Sequence, residues 1–194
     1  MTSILVVCTG NVCRSPIAEG LLHNAMAARF GDRAPEVSSA GTQGWEGRPA
    51  MPESVAAAAE RGVEISGHVA RELTGAMVEH ATLVVTMARE HGDELARFGA
   101  DAGRKAFTLK ELVRILDTLP AVPAGAEVGS LADRRDAADD VRRAGFKGNP
   151  LDDDIADPLG LPLESYRAVA WELDEWVRRL AHGLYGVAPE AMEA

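Results

Sequence analysis

Ile4-Leu5-Val6-Val7 is a continuous aliphatic and β-branched run close to the start of the chain. Such a run reads as a strand buried on both faces, the pattern of a parallel sheet covered by helices. Gly10-Asn11 interrupts it, and Ser15-Pro16 then opens a helix, with Ser15 as its cap and Pro16 in its first turn. Ile17, Leu21, Met26 and Phe30 recur near helical spacing, which predicts a helix to about Arg29 that stops at Gly31. The alternation then repeats. Residues 36–40 read as a short strand ending at Gly41, and 53–61 as an alanine-rich helix ending at Gly62. Residues 83–87 form another buried-type strand with a helix over 89–98, and 105–109 a last strand with a helix over 110–118. The stretch 119–129 is rich in Pro, Gly and Ala and reads as a linker loop, followed by a charged surface helix at 130–144. Residues 163–184 form a long amphipathic helix carrying Tyr166, Val169, Leu173, Trp176, Val177 and Leu180.

Strands alternating with helices predict a single α/β domain: a small, parallel, four-stranded sheet of the flavodoxin-like kind with helices on both faces. Ligands of such sheets bind outside the carboxyl ends of the strands, where the strand order switches, and Cys8 stands at that end of the first strand. The chain's 194 residues fit one domain, with 119–150 as an insert or extended loop. No apolar run is long enough to span a bilayer, and no basic segment or cleavage site precedes the first strand, so the expected location is cytoplasmic, without a membrane partner.

A net charge of −10 argues against nucleic acid as a partner. It also means that an anionic ligand must be held by a local site, since the overall field repels it. Cys8 and Cys13 are the only cysteines, five positions apart. Two do not make a disulfide scaffold for a chain this long, and their closeness points to reactivity or redox coupling.

Hydrolysis of a phosphate ester without a metal requires an anionic nucleophile, donors for the equatorial oxygens and an acid for the leaving group. An ordinary thiol is only a few per cent thiolate at neutral pH. The loop Cys8-Thr9-Gly10-Asn11-Val12-Cys13-Arg14-Ser15 lies between a strand and a helix N-terminus, where backbone N–H groups converge and the helix contributes partial positive charge. Arg14 adds a planar fork that matches two phosphate oxygens. These features favour a thiolate at Cys8 and bind a substrate dianion, and the Ser15 hydroxyl can donate to the sulfur. Gly10 and Asn11 tolerate the left-handed backbone that inward-pointing N–H groups demand. No Gly-Lys-Ser/Thr follows, which excludes a nucleotide-binding loop of the Walker type.

The run Val7-Cys8-Thr9-Gly10-Asn11-Val12-Cys13-Arg14-Ser15-Pro16-Ile17-Ala18-Glu19 resembles the signature of the low-molecular-weight protein tyrosine phosphatases. Ser38-Ser39-Ala40-Gly41-Thr42 with Trp45, Gly67-His68-Val69-Ala70-Arg71 and Asp157-Pro158 resemble further segments of that family. The resemblance covers 3–110 and about 155–182, and 119–150 has no counterpart in it. It implies Cys8 as the nucleophile that forms a cysteinyl-phosphate, Arg14 as the phosphoryl-binding residue, and Asp157 as the acid that protonates the leaving oxygen and then activates water. It implies phosphate contacts along Thr9 to Ser15, and a supporting network of Asn11, Ser15, Ser39 and His68. Cys13 is implied to trap oxidised Cys8 as a disulfide, a role that competes with that of a plain helix-start thiol. Neither metal nor cofactor is implied, and phosphate and other oxyanions are expected to inhibit.

Asp152, Asp153 and Asp154 read as a solvated acidic loop, whereas Pro158 gives Asp157 a defined turn. His23, His80, His91 and His182 read as surface residues. Val12, Trp45 and Leu159 are expected to wall the substrate cleft. Three positions depart from the family pattern: Leu159-Gly160 stand where aromatics are usual, Ala88 where an acidic residue is common, and Val12 where relatives that hydrolyse phosphoarginine tend to carry Thr. The apolar Val12 favours an aryl phosphate over a guanidinium. The expected activity is therefore hydrolysis of protein phosphotyrosine. The rivals are a protein-arginine phosphatase, an arsenate reductase on the same fold, which with two cysteines needs an external thiol carrier, and a phosphate-binding module.

Overall fold

The computed structural model describes residues 2–122, 130–149 and 151–186. Strands β1 (Ser3–Cys8), β2 (Glu36–Gly41), β3 (Leu83–Thr86) and β4 (Ala106–Thr108) pair in parallel in the order β2-β1-β3-β4. Cys8 pairs in register with Gly41, and Val7 with both Ala40 and Thr86. The chain visits β2 on one side of β1 and then crosses to β3 on the other. The switch point of strand order thus falls at the carboxyl end of β1, where Cys8 stands.

Side chains alternate across β1, so that Ile4, Val6 and Cys8 join one buried cluster and Leu5 and Val7 the other. The larger cluster is covered by α1 (Arg14–Phe30), α2 (Pro52–Ala59), α6 (Leu109–Leu116), α7 (Ser130–Arg143) and α8 (Leu163–Tyr185). The smaller is covered by α3 (Gly75–His80), α4 (Arg89–Leu95) and α5 (Ala100–Lys105). The expected sheet with helices on both faces is the observed one.

Local chemistry explains the element ends. Gly31, at φ 55°, stops α1, and Pro52 starts α2 with the fixed φ that suits a first helical residue. In α8 the buried Tyr166, Val169, Leu173, Val177, Leu180 and Leu184 recur every three or four residues and face α1, α2 and α6. Burying each such side chain contributes about 1.5–3 kcal/mol. The segment 89–98 divides into α4 and a 3-10 turn at Ala96–Phe98. The charged helix foreseen at 130–144 is present as α7. It is not merely superficial: Leu131 and Ala138 enter the core, and the buried Asp139 receives Arg142 at 2.8 Å and Arg143 at 3.2 Å. Most of the expected linker, 123–129, lies outside the described residues. No helix among the described residues is long and apolar enough to cross a membrane.

Ser15 is not a cap. α1 begins one residue earlier, at Arg14, and no side chain caps it. The Ser15 hydroxyl turns towards the sulfur of Cys8 instead.

Candidate active site

The loop between β1 and α1 is held from outside by its carbonyls. Cys8 O accepts from Thr42 N, Thr9 O from Gln43 N, Gly10 O from Trp45 N and Val12 O from Met51 N, all at 2.9–3.1 Å. Asn11 O accepts from His68 Nε2 at 2.8 Å. With these carbonyls committed outward, the amides serve the concave side, where Asn11 N donates to Cys8 Sγ at 3.3 Å. Asn11 has φ 56°, the only left-handed non-glycine residue among those described. Gly41 lets the loop lie against β2, because a Cβ there would stand 2.4 Å from Thr9 O and 3.0 Å from Asn11 N.

Asn11 sets the direction of a buried hydrogen-bond chain. Arg71 N can only donate, so the atom that receives it at 2.8 Å is Asn11 Oδ1, and the amide orientation follows. The two hydrogens on Nδ2 go to Ser15 Oγ at 2.9 Å and Ser39 Oγ at 2.7 Å. Ser39 passes its own hydrogen to Glu19 Oε2 at 2.5 Å. Ser15, having accepted from Asn11, is left to donate to Cys8 Sγ at 2.9 Å. The sulfur therefore faces a hydroxyl hydrogen and an amide hydrogen. His68 Nδ1 lies 3.9 Å from Glu19 Oε2.

Arg14 is 3 % exposed, and its guanidinium closes one side of the loop. Nη1 donates to Ile155 O at 3.1 Å, while Nη2 donates to Asp157 Oδ2 at 2.6 Å and to Thr9 Oγ1 at 3.2 Å. Nε is buried and has no partner among the described residues. Asp157 arrives from a loop 143 residues away in sequence, and its Oδ1 accepts from Leu159 N at 3.1 Å, which fixes the turn at Pro158. Cys8, Arg14 and Asp157 line one narrow cavity of about 60 Å³, with Trp45 and Leu159 as its apolar walls and Val12 at its edge.

The sequence matches the family model for low molecular weight phosphotyrosine protein phosphatase over residues 3–119. The chain belongs to that family. Among its relatives, a protein-arginine-phosphatase from Geobacillus stearothermophilus is 33% identical over 181 residues, covering 93% of this chain and 95% of the relative. A probable low molecular weight protein-tyrosine-phosphatase, EpsP, from Ralstonia solanacearum is 40% identical over 111 residues, covering 57% of this chain and 72% of its own. The crystal structure of a low molecular weight protein tyrosine phosphatase from T. tengcongensis superposes with a TM-score of 0.67 at 33% identity, over 93% of this chain and 97% of the other.

Two features of this phosphatase differ from the reading of its sequence. Asp152 and Asp154 are exposed, as expected of a solvated loop, but Asp153 is buried and all three are paired. Asp152 meets Lys110 at 3.2 Å and Arg114 at 2.6 Å, the buried Asp153 pairs with Arg114, and Asp154 Oδ1 accepts from Arg89 N at 2.8 Å. Lys110 is itself buried and also reaches Asp154 O at 3.1 Å and Glu172 at 2.6 Å. These contacts anchor the loop that carries Asp157. His91, read as a surface residue, is 1 % exposed, and its Nε2 lies 3.0 Å from Thr9 Oγ1 at the edge of the cavity. Burial, and next to it the charge of Arg14, push its pKa down to about 4, so the ring is neutral. Polar sequence around it gave no periodic signal of burial. Cys13 is a buried free thiol beside Ser54 and Tyr166, and burial pushes its pKa up to about 11. It carries its proton at neutral pH.

Proposed function

We propose that this phosphatase hydrolyses phosphate monoesters in two steps through a phosphoryl group carried on Cys8. The observation that carries the reading is the meeting of Cys8, Arg14 and Asp157 in one cavity, two from a single loop and the third from far along the chain. In the first step the Cys8 thiolate forms a bond to phosphorus as the phosphorus–oxygen bond to the alcohol breaks, and Asp157 gives its proton to the departing oxygen. In the second, Asp157 takes a proton from water as the water oxygen bonds to phosphorus, and the sulfur leaves as a thiolate held by Ser15 and Asn11 N–H. Arg14 and the loop amides bind the phosphoryl oxygens throughout and are worth most where charge builds up on them. In the free enzyme the acid and the clamp occupy one another, and an incoming dianion takes Asp157's place on Arg14. Inorganic phosphate and related oxyanions fit the same cradle as inhibitors.

The substrate we propose is phosphotyrosine in proteins, with Val12, Trp45 and Leu159 as the apolar surroundings of the aryl ring. Leu159 and Trp45 leave the cleft open, 39 % and 45 % exposed, as attack on a protein surface requires. A second reading, phosphoarginine, has its support in the 33% identity to a protein-arginine-phosphatase over nearly the whole length of both chains. There the broken bond is phosphorus–nitrogen and the proton goes to the guanidine. Val12 supports the first reading, because it offers a guanidinium no hydrogen-bond partner. A thiolate nucleophile with a second free thiol suits a reducing compartment, which supports a cytoplasmic site of action. That Cys13 lines the same cavity supports a role in capturing Cys8 once that sulfur is oxidised, for which it must first lose its proton.

Hydrolysis of para-nitrophenyl phosphate is expected to vanish in Cys8→Ser while inorganic phosphate still binds. Retained turnover in that variant would refute the nucleophile. A panel of phosphotyrosine, phosphoserine and phosphoarginine peptides discriminates the substrates: we expect the first to lead, and a lead for phosphoarginine overturns the tyrosine reading while leaving the chemistry of Cys8 intact.

A further inference from the structure

The hydrolytic mechanism leaves His91, a buried ionisable group at the edge of the site, unused. His91 sits in the first turn of α4, behind the phosphate loop, with Nε2 3.0 Å from Thr9 Oγ1. Thr9 Oγ1 is also the acceptor of Arg14 Nη2 at 3.2 Å. No further partner of the hydroxyl is present among the described residues, and Thr9 lines the cavity. What this hydroxyl does depends on which nitrogen of His91 carries the hydrogen.

The ring is neutral, so one nitrogen donates and the other accepts. Nδ1 is buried and has no partner among the described residues. If the hydrogen were on Nδ1, an N–H would be sealed away from every acceptor, the kind of orphan that folded proteins avoid most strongly. With the hydrogen on Nε2, only a lone pair is left unpartnered. The carboxylate of Glu90 acts in the same direction, since its Oε1 is 3.6 Å from Nε2 and favours a hydrogen there. Both arguments select the Nε2–H form. Thr9 Oγ1 then accepts twice, from His91 and from Arg14, and its own hydrogen has to leave in a third direction. The cavity is where that hydrogen finds an acceptor when a phosphoryl group is bound.

We propose that His91 is a positioning residue that sets the Thr9 hydroxyl as a hydrogen-bond donor to the phosphoryl group, alongside Arg14. The proposal rests on the phosphatase reading of this cavity. It adds a side-chain donor to the cradle of backbone amides, one oriented by α4 and not by the loop's own sequence. Thr9 and His91 then act as a unit. Removing either costs the same hydrogen bond, and removing the second after the first costs little more.

The test is a double-mutant cycle on para-nitrophenyl phosphate hydrolysis and on inhibition by inorganic phosphate. Thr9→Val and His91→Leu are each expected to lower kcat/KM and to weaken phosphate inhibition by about tenfold, the scale of one hydrogen bond to a charged group. The loss should fall mainly on KM, because the bond exists in the ground state as well as in the transition state. The double variant should lie within about twofold of the weaker single variant, and His91→Gln, which keeps a donor, should recover most of the activity. Fully additive losses, or a His91→Leu enzyme with unchanged phosphate inhibition, overturn the proposal. Nitrogen NMR of the unmutated protein tests it without any substitution: the Nε2–H form supports it, and an Nδ1–H form overturns it. Loss of activity in Cys8→Ser is a separate result. If that variant keeps full turnover, the reading of the site itself fails; if it is dead while the cycle is additive, only the role of His91 fails.

Discussion

Loop 8–15 and loop 151–161 face each other across one cavity, yet different forces hold them. The first is closed by hydrogen bonds from buried groups that are mostly neutral: Asn11, Ser15, Ser39 and the amides that receive its carbonyls. The second is drawn in by charge, through Lys110, Arg114 and Arg89 on its three consecutive aspartates. Arg14 is the point where they join. Buried neutral hydrogen bonds are insensitive to salt and fail sharply when one partner is removed. Ion pairs at half-exposed groups weaken with ionic strength and give way gradually. Cys8 and its loop are thus held by contacts that salt does not loosen, while Asp157 is carried by a loop whose ion pairs salt weakens.

The largest test of that contrast is Asp157→Ala. It should lower kcat/KM by about a hundredfold or more on aryl esters with poor leaving groups, and far less on para-nitrophenyl phosphate, while inorganic phosphate still binds. Equal turnover of a poor leaving group in this variant would remove Asp157 from the mechanism. A smaller effect is expected from Lys110→Met, which takes away the hub beneath the acid loop. It should lower kcat by about tenfold, with oxyanion inhibition unchanged, because the cradle is untouched. A comparable rise in the phosphate inhibition constant would show that the two loops are one unit after all.

The third test reads stability on the cradle side. His91 has a pKa of about 4 in the folded protein, against an ordinary value near 6.5. Between those values the unfolded chain takes up a proton that the folded one refuses, so stability falls as pH drops through this window. The loss amounts to at most about 1.4 kcal/mol per pH unit. Thermal denaturation of His91→Gln should therefore decline less steeply than that of the parent from pH 6.5 to 4.5, at low and high salt alike. Parallel curves would contradict a buried, neutral His91.

How much of this was legible in the sequence follows the same division. The strands, α1 and α8 declare themselves because their apolar positions are dense and regular, and the cradle because its residues are contiguous. The short helices α3 and α5 were missed: each is six residues long and buries a single side chain, Val78 and Ala102, which leaves no period to detect. Ser15 before Pro16 has the local chemistry of a cap, and only the tertiary demand of Cys8 diverts it. The pairing of the aspartates at 152–154 could not be read because their cations lie about 40 to 65 positions away. His91 sits in a polar segment, and its burial comes from the loop packed against it. Interactions between neighbours along the chain could be read; charge pairs and burial across the fold could not.

The most direct measurement is to mix Asp157→Ala with para-nitrophenyl phosphate, quench the reaction within one turnover and locate the phosphoryl group by peptide mass spectrometry. Slow hydrolysis of the intermediate should let it accumulate, and the account places the phosphoryl group on Cys8. A nitrophenolate burst with an unmodified Cys8 peptide, or a phosphoryl group on any other residue, would contradict it.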